Sequence, residues 1–298
     1  MSDPAGQGGG AAGSDSGRRD WSGLRLRVIS AAVLIPPVLA VFYFGSPYSD
    51  LMVLAASGLL AWEWSRLCGR AGGQGAGSSA PFDRWGGLEG GGIAVIVGVV
   101  VAVGAGALQL YPLAGWLVAI GALAAALAAL RLGPGLPQWH ALGVIYVALP
   151  CLGFIWLRQD PEIGRVVVFW LLFVVWATDI GAYAFGRAIG GAKLAPRASP
   201  KKTWAGLIGG ALSAGLVGAL LAAWHGGWSP AGIGGLSVLL ALVAQTGDVL
   251  ESAVKRHFGV KDASQLIPGH GGLMDRVDGL LAASLVVAFM TWLRGALA

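Results

Sequence analysis

Charge is what this sequence has least of: Asp, Glu, Lys and Arg together make up 12% of its 298 residues, about half the share of a soluble domain. That shortage excludes an ordinary water-soluble enzyme, which could not cover its surface, and equally a chain kept disordered by self-repulsion. Cysteine is nearly as scarce. Cys68 and Cys151 stand alone in or beside apolar segments, which excludes a disulfide framework and offers no zinc-type spacing. Both read as small core residues. What is present is apolar: 56% of residues are hydrophobic, 50 are glycine, and the mean hydropathy is +0.71. Long apolar runs recur from Val28 to the C-terminus with short polar gaps, the pattern of an integral membrane protein.

Residues 1–24 are rich in Gly, Ser, Ala and Asp without periodicity and read as a disordered cytoplasmic tail. The first apolar run follows Arg18, Arg19, Arg25 and Arg27 and lacks a convincing cleavage site, so it reads as a retained span. Nine spans are expected, near 28–44, 51–67, 92–110, 113–131, 141–157, 166–184, 206–224, 231–248 and 279–297. Only Tyr111-Pro112 separates the third from the fourth, which leaves eight as the alternative count. The expected fold is therefore all-α, a polytopic bundle of about nine transmembrane helices. Its N-terminal helices cover 25–165 and its C-terminal catalytic region covers 166–298. With the N-terminus inside, 17 of the 20 Lys and Arg residues fall on the cytoplasmic side, leaving Arg158, Arg165 and Arg294. That asymmetry obeys the positive-inside rule. No internal repeat is visible, and the net charge of +5, distributed in this way, points to the membrane rather than to nucleic acid.

The polar chemistry gathers in the C-terminal third. Carboxylates at membrane depth are costly and carry functional weight. Glu63, in Trp62-Glu63-Trp64, reads as a snorkelling or Arg66-paired group at a span end. Asp179 stands near the inner end of the sixth span, one turn before Tyr183, and Asp248 closes the eighth. On a continuing helix Asp248, Ser252 and Lys255 share a face, with Glu251 beside them. Beyond Arg256, His257, Lys261 and Asp262 the chain reaches Pro268-Gly269-His270-Gly271-Gly272, then Asp275-Arg276-Val277-Asp278. Asp275 and Asp278, three apart, can project from one helix face. Glycines around His270 let backbone amides approach an anion. A hard divalent cation takes carboxylates and phosphate oxygens together, and this segment supplies carboxylates beside phosphate-seeking cations. A second basic loop, Ser199-Pro200-Lys201-Lys202-Thr203-Trp204, falls on the same expected side, within loop 185–205 and opposite loop 251–277. It lacks the glycine frame of a Walker A loop.

Ser252 to Asp278, reading SAVKRHFGVKDASQLIPGHGGLMDRVD, closely resembles the C-terminal motif of the phosphatidate cytidylyltransferases, the CDP-diacylglycerol synthases. The elements SxxKR, KD, PGHGG and DRxD all stand at family spacing. Arg27-Val28-Ile29-Ser30-Ala31, Asp179-Ile180-Gly181-Ala182-Tyr183, SPKKTW and Gly247-Asp248 are similar too. One position departs: Ala205 follows the Trp of SPKKTW, where the family usually has Glu. The resemblance implies transfer of CMP from CTP to phosphatidic acid in phospholipid biosynthesis, with Mg²⁺ and a second metal ion left open. It implies Asp248, Asp275, Lys202 and Arg276 as catalytic residues. Asp248, Asp275 and Asp278 are the implied metal ligands. Substrate contacts are implied for Ser199, Lys201, Thr203, Ser252, Lys255, Arg256, Lys261, His270, Asp179 and Arg27. Expected partners are CTP, phosphatidic acid and the bilayer of a bacterial-type inner membrane, with no nucleic acid; a homodimer is left open. A CTP-dependent lipid kinase and a transporter of an anionic solute are the rival readings. A transporter favours charges at the midplane, whereas here they cluster at one end. A CDP-alcohol phosphotransferase is weaker still, because its acidic array is absent.

Overall fold

The computed structural model describes residues 32–33, 35–69, 90–132, 136–267 and 271–297. The tail 1–24, Arg27 and His270 lie outside the described residues. Among the described residues nine helices run in chain order: α1 (Ile35–Phe44), α2 (Tyr48–Gly69), α3 (Gly90–Ala107), α4 (Tyr111–Leu132), α5 (Pro137–Gln159), α6 (Gly164–Ala188), α7 (Trp204–His225), α8 (Pro230–His257) and α9 (Met274–Leu297). The protein is an all-α polytopic membrane bundle. Seven of the helices, α3 to α9, are long and apolar enough to cross a membrane. Helix α2 has the length, at 22 residues, but also carries Asp50, Glu63 and Arg66.

Tyr111-Pro112 does divide two helices. The chain turns at Gln109, which takes a positive φ of 62°, and α4 begins at Tyr111. The antiparallel pair packs closely because Gly98 and Gly121 face one another: a Cβ on Gly98 would lie 3.1 Å from the Gly121 Cα. Small residues at such crossings let backbones approach where lipid supplies no hydrophobic drive between helices. Helix α6 packs chiefly on α7, α7 on α8, and α9 on α5 and α8.

The two ends of the bundle are tied differently. At one end Gln159 donates to Asp50 Oδ2 (3.0 Å) and to the Ala107 carbonyl (3.2 Å), and Tyr111 donates to Gln159. Arg158 donates to the Phe42 carbonyl at 2.8 Å. At the other end three consecutive residues of α2 each fasten a different part of the chain. Glu63 accepts from the segment leading into α9. Trp64 Nε1 donates to the Trp139 carbonyl of α5 (2.8 Å), and Ser65 donates to Gly92 of α3 (3.1 Å).

The basic segment between α6 and α7 is not a plain loop. Lys193–Ala195 (β1) and Ser199–Thr203 (β2) form an antiparallel hairpin. Thr203 ends β2 and caps α7, its hydroxyl accepting from the Gly206 amide at 3.1 Å, a favourable N-cap arrangement. Helix α8 starts with the matching device, Ser229 accepting from Gly232 at 3.2 Å with Pro230 in the first turn.

Candidate active site

Helix α8 runs on past its apolar stretch to His257, so Asp248, Glu251, Ser252 and Lys255 emerge from successive turns at the end where the hairpin lies. The carboxylates of Asp248, Glu251 and, from α9, Asp278 come together, their nearest oxygens all within 4.8 Å of one another. Three like charges at that separation repel strongly unless a cation joins them. Glu251 is 1% exposed, and its Oε1 lacks a hydrogen-bond donor among the described residues. Its neighbouring cation is the Lys255 ammonium, 2.7 Å from Oε2. An under-satisfied carboxylate set of this kind fits a hard divalent cation, which takes oxygen ligands.

Asp275 does not join this trio. It forms an ion pair with Lys255, and its Oδ2 accepts from the amides of Ala263 (3.0 Å) and Gly272 (2.9 Å). Asp275 and Asp278 are three positions apart, yet the first stands at the start of α9, where its carboxylate meets the amides of Ala263 and Gly272. Lys255 thus bridges Glu251 and Asp275 in a buried triad whose side chains are 9%, 1% and 6% exposed.

Lys202 approaches from β2. Its Nζ lies 2.6 Å from Asp248 Oδ2, and these side chains remain 20% and 35% exposed, so the pair stays within reach of a ligand. Its neighbour Lys201 is exposed. Arg256 fastens the hairpin to the end of α8, donating to the Ala198 carbonyl (3.3 Å) and the Val260 carbonyl (3.0 Å). Ser252 donates to Asp248 Oδ1 at 3.4 Å. Asp179 of α6 lies within electrostatic range of Asp248, Lys202 and Arg276, which brings a fourth carboxylate to the rim. Arg276 and Lys261 are exposed, and Ser199 is half-buried at the start of β2. Thr203 is buried, with its hydroxyl engaged in the cap of α7.

Three residues here were not singled out by sequence reasoning as part of the site. In the sequence Glu251 reads only as a neighbour of the Asp248 face. Tyr146 of α5 stacks on Trp64 at 4.9 Å, and its buried hydroxyl lacks a partner among the described residues while sitting within electrostatic range of Glu251, Asp278 and Asp248. Glu63 read as a snorkelling group but is fully buried beneath the loop before α9. A carboxylate between two tryptophans inside an apolar run was the signal for Glu63; no local pattern marks Tyr146.

A sequence model described as the Cytidylyltransferase family matches residues 25–293. A phosphatidate cytidylyltransferase of Brucella suis is 40% identical over 274 residues, covering 89% of this chain and 92% of the relative. One from Pseudomonas aeruginosa is 35% identical over 287 residues, covering 91% and 98%. One from Haemophilus influenzae is 32% identical over 295 residues, covering 87% and 96%. A match that spans the hairpin, α8 and α9 together with the N-terminal helices means that the chain belongs to the cytidylyltransferase family.

Proposed function

We propose that this protein transfers CMP from CTP to phosphatidic acid, forming CDP-diacylglycerol and releasing pyrophosphate, at the bundle end shared by the hairpin and the loop before α9. The observation that carries this reading is the half-open Lys202–Asp248 pair beside the Asp248, Glu251 and Asp278 carboxylates. Cations and a carboxylate cage in one place serve the meeting of two polyanions, which is the difficult part of this reaction. Asp248, Glu251 and Asp278 are the residues that would hold Mg²⁺. Bound there, the ion would screen the triphosphate and polarise it toward attack. Asp275, implied as a ligand by the resemblance, has its oxygens taken by Lys255 and two amides. We assign it to holding the loop.

Lys202, Lys201, Arg276 and Lys261 supply positive charge for the nucleotide and lipid phosphates. A phosphate oxygen of phosphatidate bonds to the α-phosphorus of CTP as the bond to the pyrophosphate oxygen breaks, and pyrophosphate leaves. The attacking oxygen is already ionised, so the chain need not remove a proton from it. The hydroxyls near the site, Thr203 and Ser252, are a helix cap and a donor to Asp248. Thr203 has no base beside it, and the one base beside Ser252, Asp248, stands at a long 3.4 Å and is engaged by Lys202 and the trio, so neither is activated for covalent catalysis and a direct displacement follows.

Purified protein supplied with CTP, phosphatidate and Mg²⁺ should form CDP-diacylglycerol and pyrophosphate in equal amounts, and chelation of divalent ions should stop it. Formation of CDP with a newly phosphorylated lipid would identify a kinase instead.

The site faces the cytoplasm of a bacterial inner membrane, where CTP is available and the positive charge concentrates. Arg197 and Gln265 are exposed at this end and Glu162 at the opposite one, while both native cysteines are buried. Single cysteines at Arg197 and Gln265 should react with an impermeant thiol reagent only after the membrane is opened, and one at Glu162 should react in intact cells. The reverse pattern would invert the topology.

Ala205, in the first turn of α7, stands where relatives usually carry Glu. Thr203 already caps this helix, so α7 starts without help from a carboxylate. Ala205→Glu, favourable to the helix dipole, should leave kcat/KM within a few-fold of the parent; a large gain would show that the parent lacks a working part.

A further inference from the structure

Glu63 belongs to α2, far in sequence from the residues of the site, and is fully buried. Its carboxylate accepts from the Ser264 hydroxyl and from the amides of Leu273 (2.8 Å) and Met274 (2.6 Å). Those two amides belong to the N-terminus of α9, where N–H groups have no intrahelical partner and a negative charge is favoured. Gly272 lies between Glu63 and Asp275. A Cβ there would stand 2.7 Å from Glu63 Oε1 and 3.0 Å from Asp275 Oδ2, so the two carboxylates grip the turn from both sides only because that residue has no side chain. Asp275 in turn holds Lys255, and Lys255 holds Glu251 of the acidic trio.

We infer that Glu63 is a positioning residue for the reaction: from α2 it fixes Ser264, Leu273 and Met274, and through Asp275 and Lys255 it sets where the Glu251 carboxylate stands. The inference rests on the proposed assignment of that trio to the site. Groups that orient a ligand set from behind are typically worth 10–100-fold in activity or metal affinity. Gln at position 63 keeps the size but replaces one acceptor oxygen by an N–H donor, which would oppose donors from Ser264, Leu273 or Met274. Ser264→Ala removes one of the same contacts from the other side.

The test measures kcat per folded molecule and amide hydrogen exchange for Glu63→Gln, Ser264→Ala and the double variant. Glu63→Gln should lower kcat by about 10–100-fold and speed exchange at residues 264–267 and 271–274, while the other helices keep their protection. Ser264→Ala should do the same more weakly, and the double variant should lose less than the product of the single losses, because both changes loosen one loop. A lower melting temperature with unchanged kcat per folded molecule and unchanged exchange at residues 264–267 and 271–274 would reduce Glu63 to a stabilising contact and overturn the inference. Losses that simply multiply would do so too. If Glu63→Gln does not fold, unchanged exchange in Ser264→Ala overturns it. An unmodified protein that makes no CDP-diacylglycerol would instead defeat the proposed reaction, and the exchange measurement still reports on Glu63 by itself.

Discussion

Asp248→Asn should lower turnover by about 10²–10³-fold, the usual weight of a group that organises charge at a reacting centre, with the helical bundle intact. Asp248 pairs with Lys202, accepts from Ser252 and stands in the acidic trio, so it links the basic hairpin to the carboxylate cage. Asparagine keeps its shape and removes its charge. The Asp248 and Lys202 side chains keep 35% and 20% of their exposure, and a pair that wet contributes about 1 kcal/mol or less to stability. Lys202 can turn to water when its partner is gone. Initial rates, with circular dichroism and gel filtration as the check on folding, measure the effect. Near-parental turnover would remove Asp248 from the centre of the site.

Lys255→Met acts on a different quantity. Lys255 is the shared cation of two buried carboxylates, and its loss strands Glu251 and Asp275 without a counter-charge. Removing one partner of a buried ionic group costs about 3–5 kcal/mol, so this variant should melt much earlier or accumulate poorly. Adding Glu251→Gln to it takes away one of the stranded charges and should return part of the stability, though not the activity, since Glu251 belongs to the trio. Intrinsic fluorescence of the 13 tryptophans during a thermal ramp reads both effects. A Lys255→Met protein as stable as the parent, with only a raised KM for CTP, would make Lys255 a nucleotide contact rather than the centre of a buried triad.

These two expectations differ because residues of one motif perform different tasks, and the motif does not say which. Asp275 and Asp278 look equivalent three residues apart on a helix. Asp275 lies where α9 begins and is captured by the Ala263 and Gly272 amides, whereas Asp278 lies further in and faces α8. The basic run SPKKTW likewise reads as a polar loop. As the second strand of a hairpin it brings Lys202 to Asp248 and leaves Lys201 exposed.

The all-helical membrane bundle, the break at Tyr111-Pro112, the continuation of α8 into its polar end and the gathering of charge at one end of the molecule were determined by the sequence alone. Each depends on local hydropathy, helical periodicity or the charge of the segments between spans, quantities that a short window of residues contains. The tertiary structure decided that Glu251 completes the carboxylate trio, that Tyr146 sits beside it, and that Glu63 of α2 holds Ser264, Leu273 and Met274. Those contacts join residues as many as 211 positions apart. Whether a buried carboxylate finds its donors depends on which helix faces meet, and in lipid that is settled by close packing of small residues and by the need of each buried polar group for a partner.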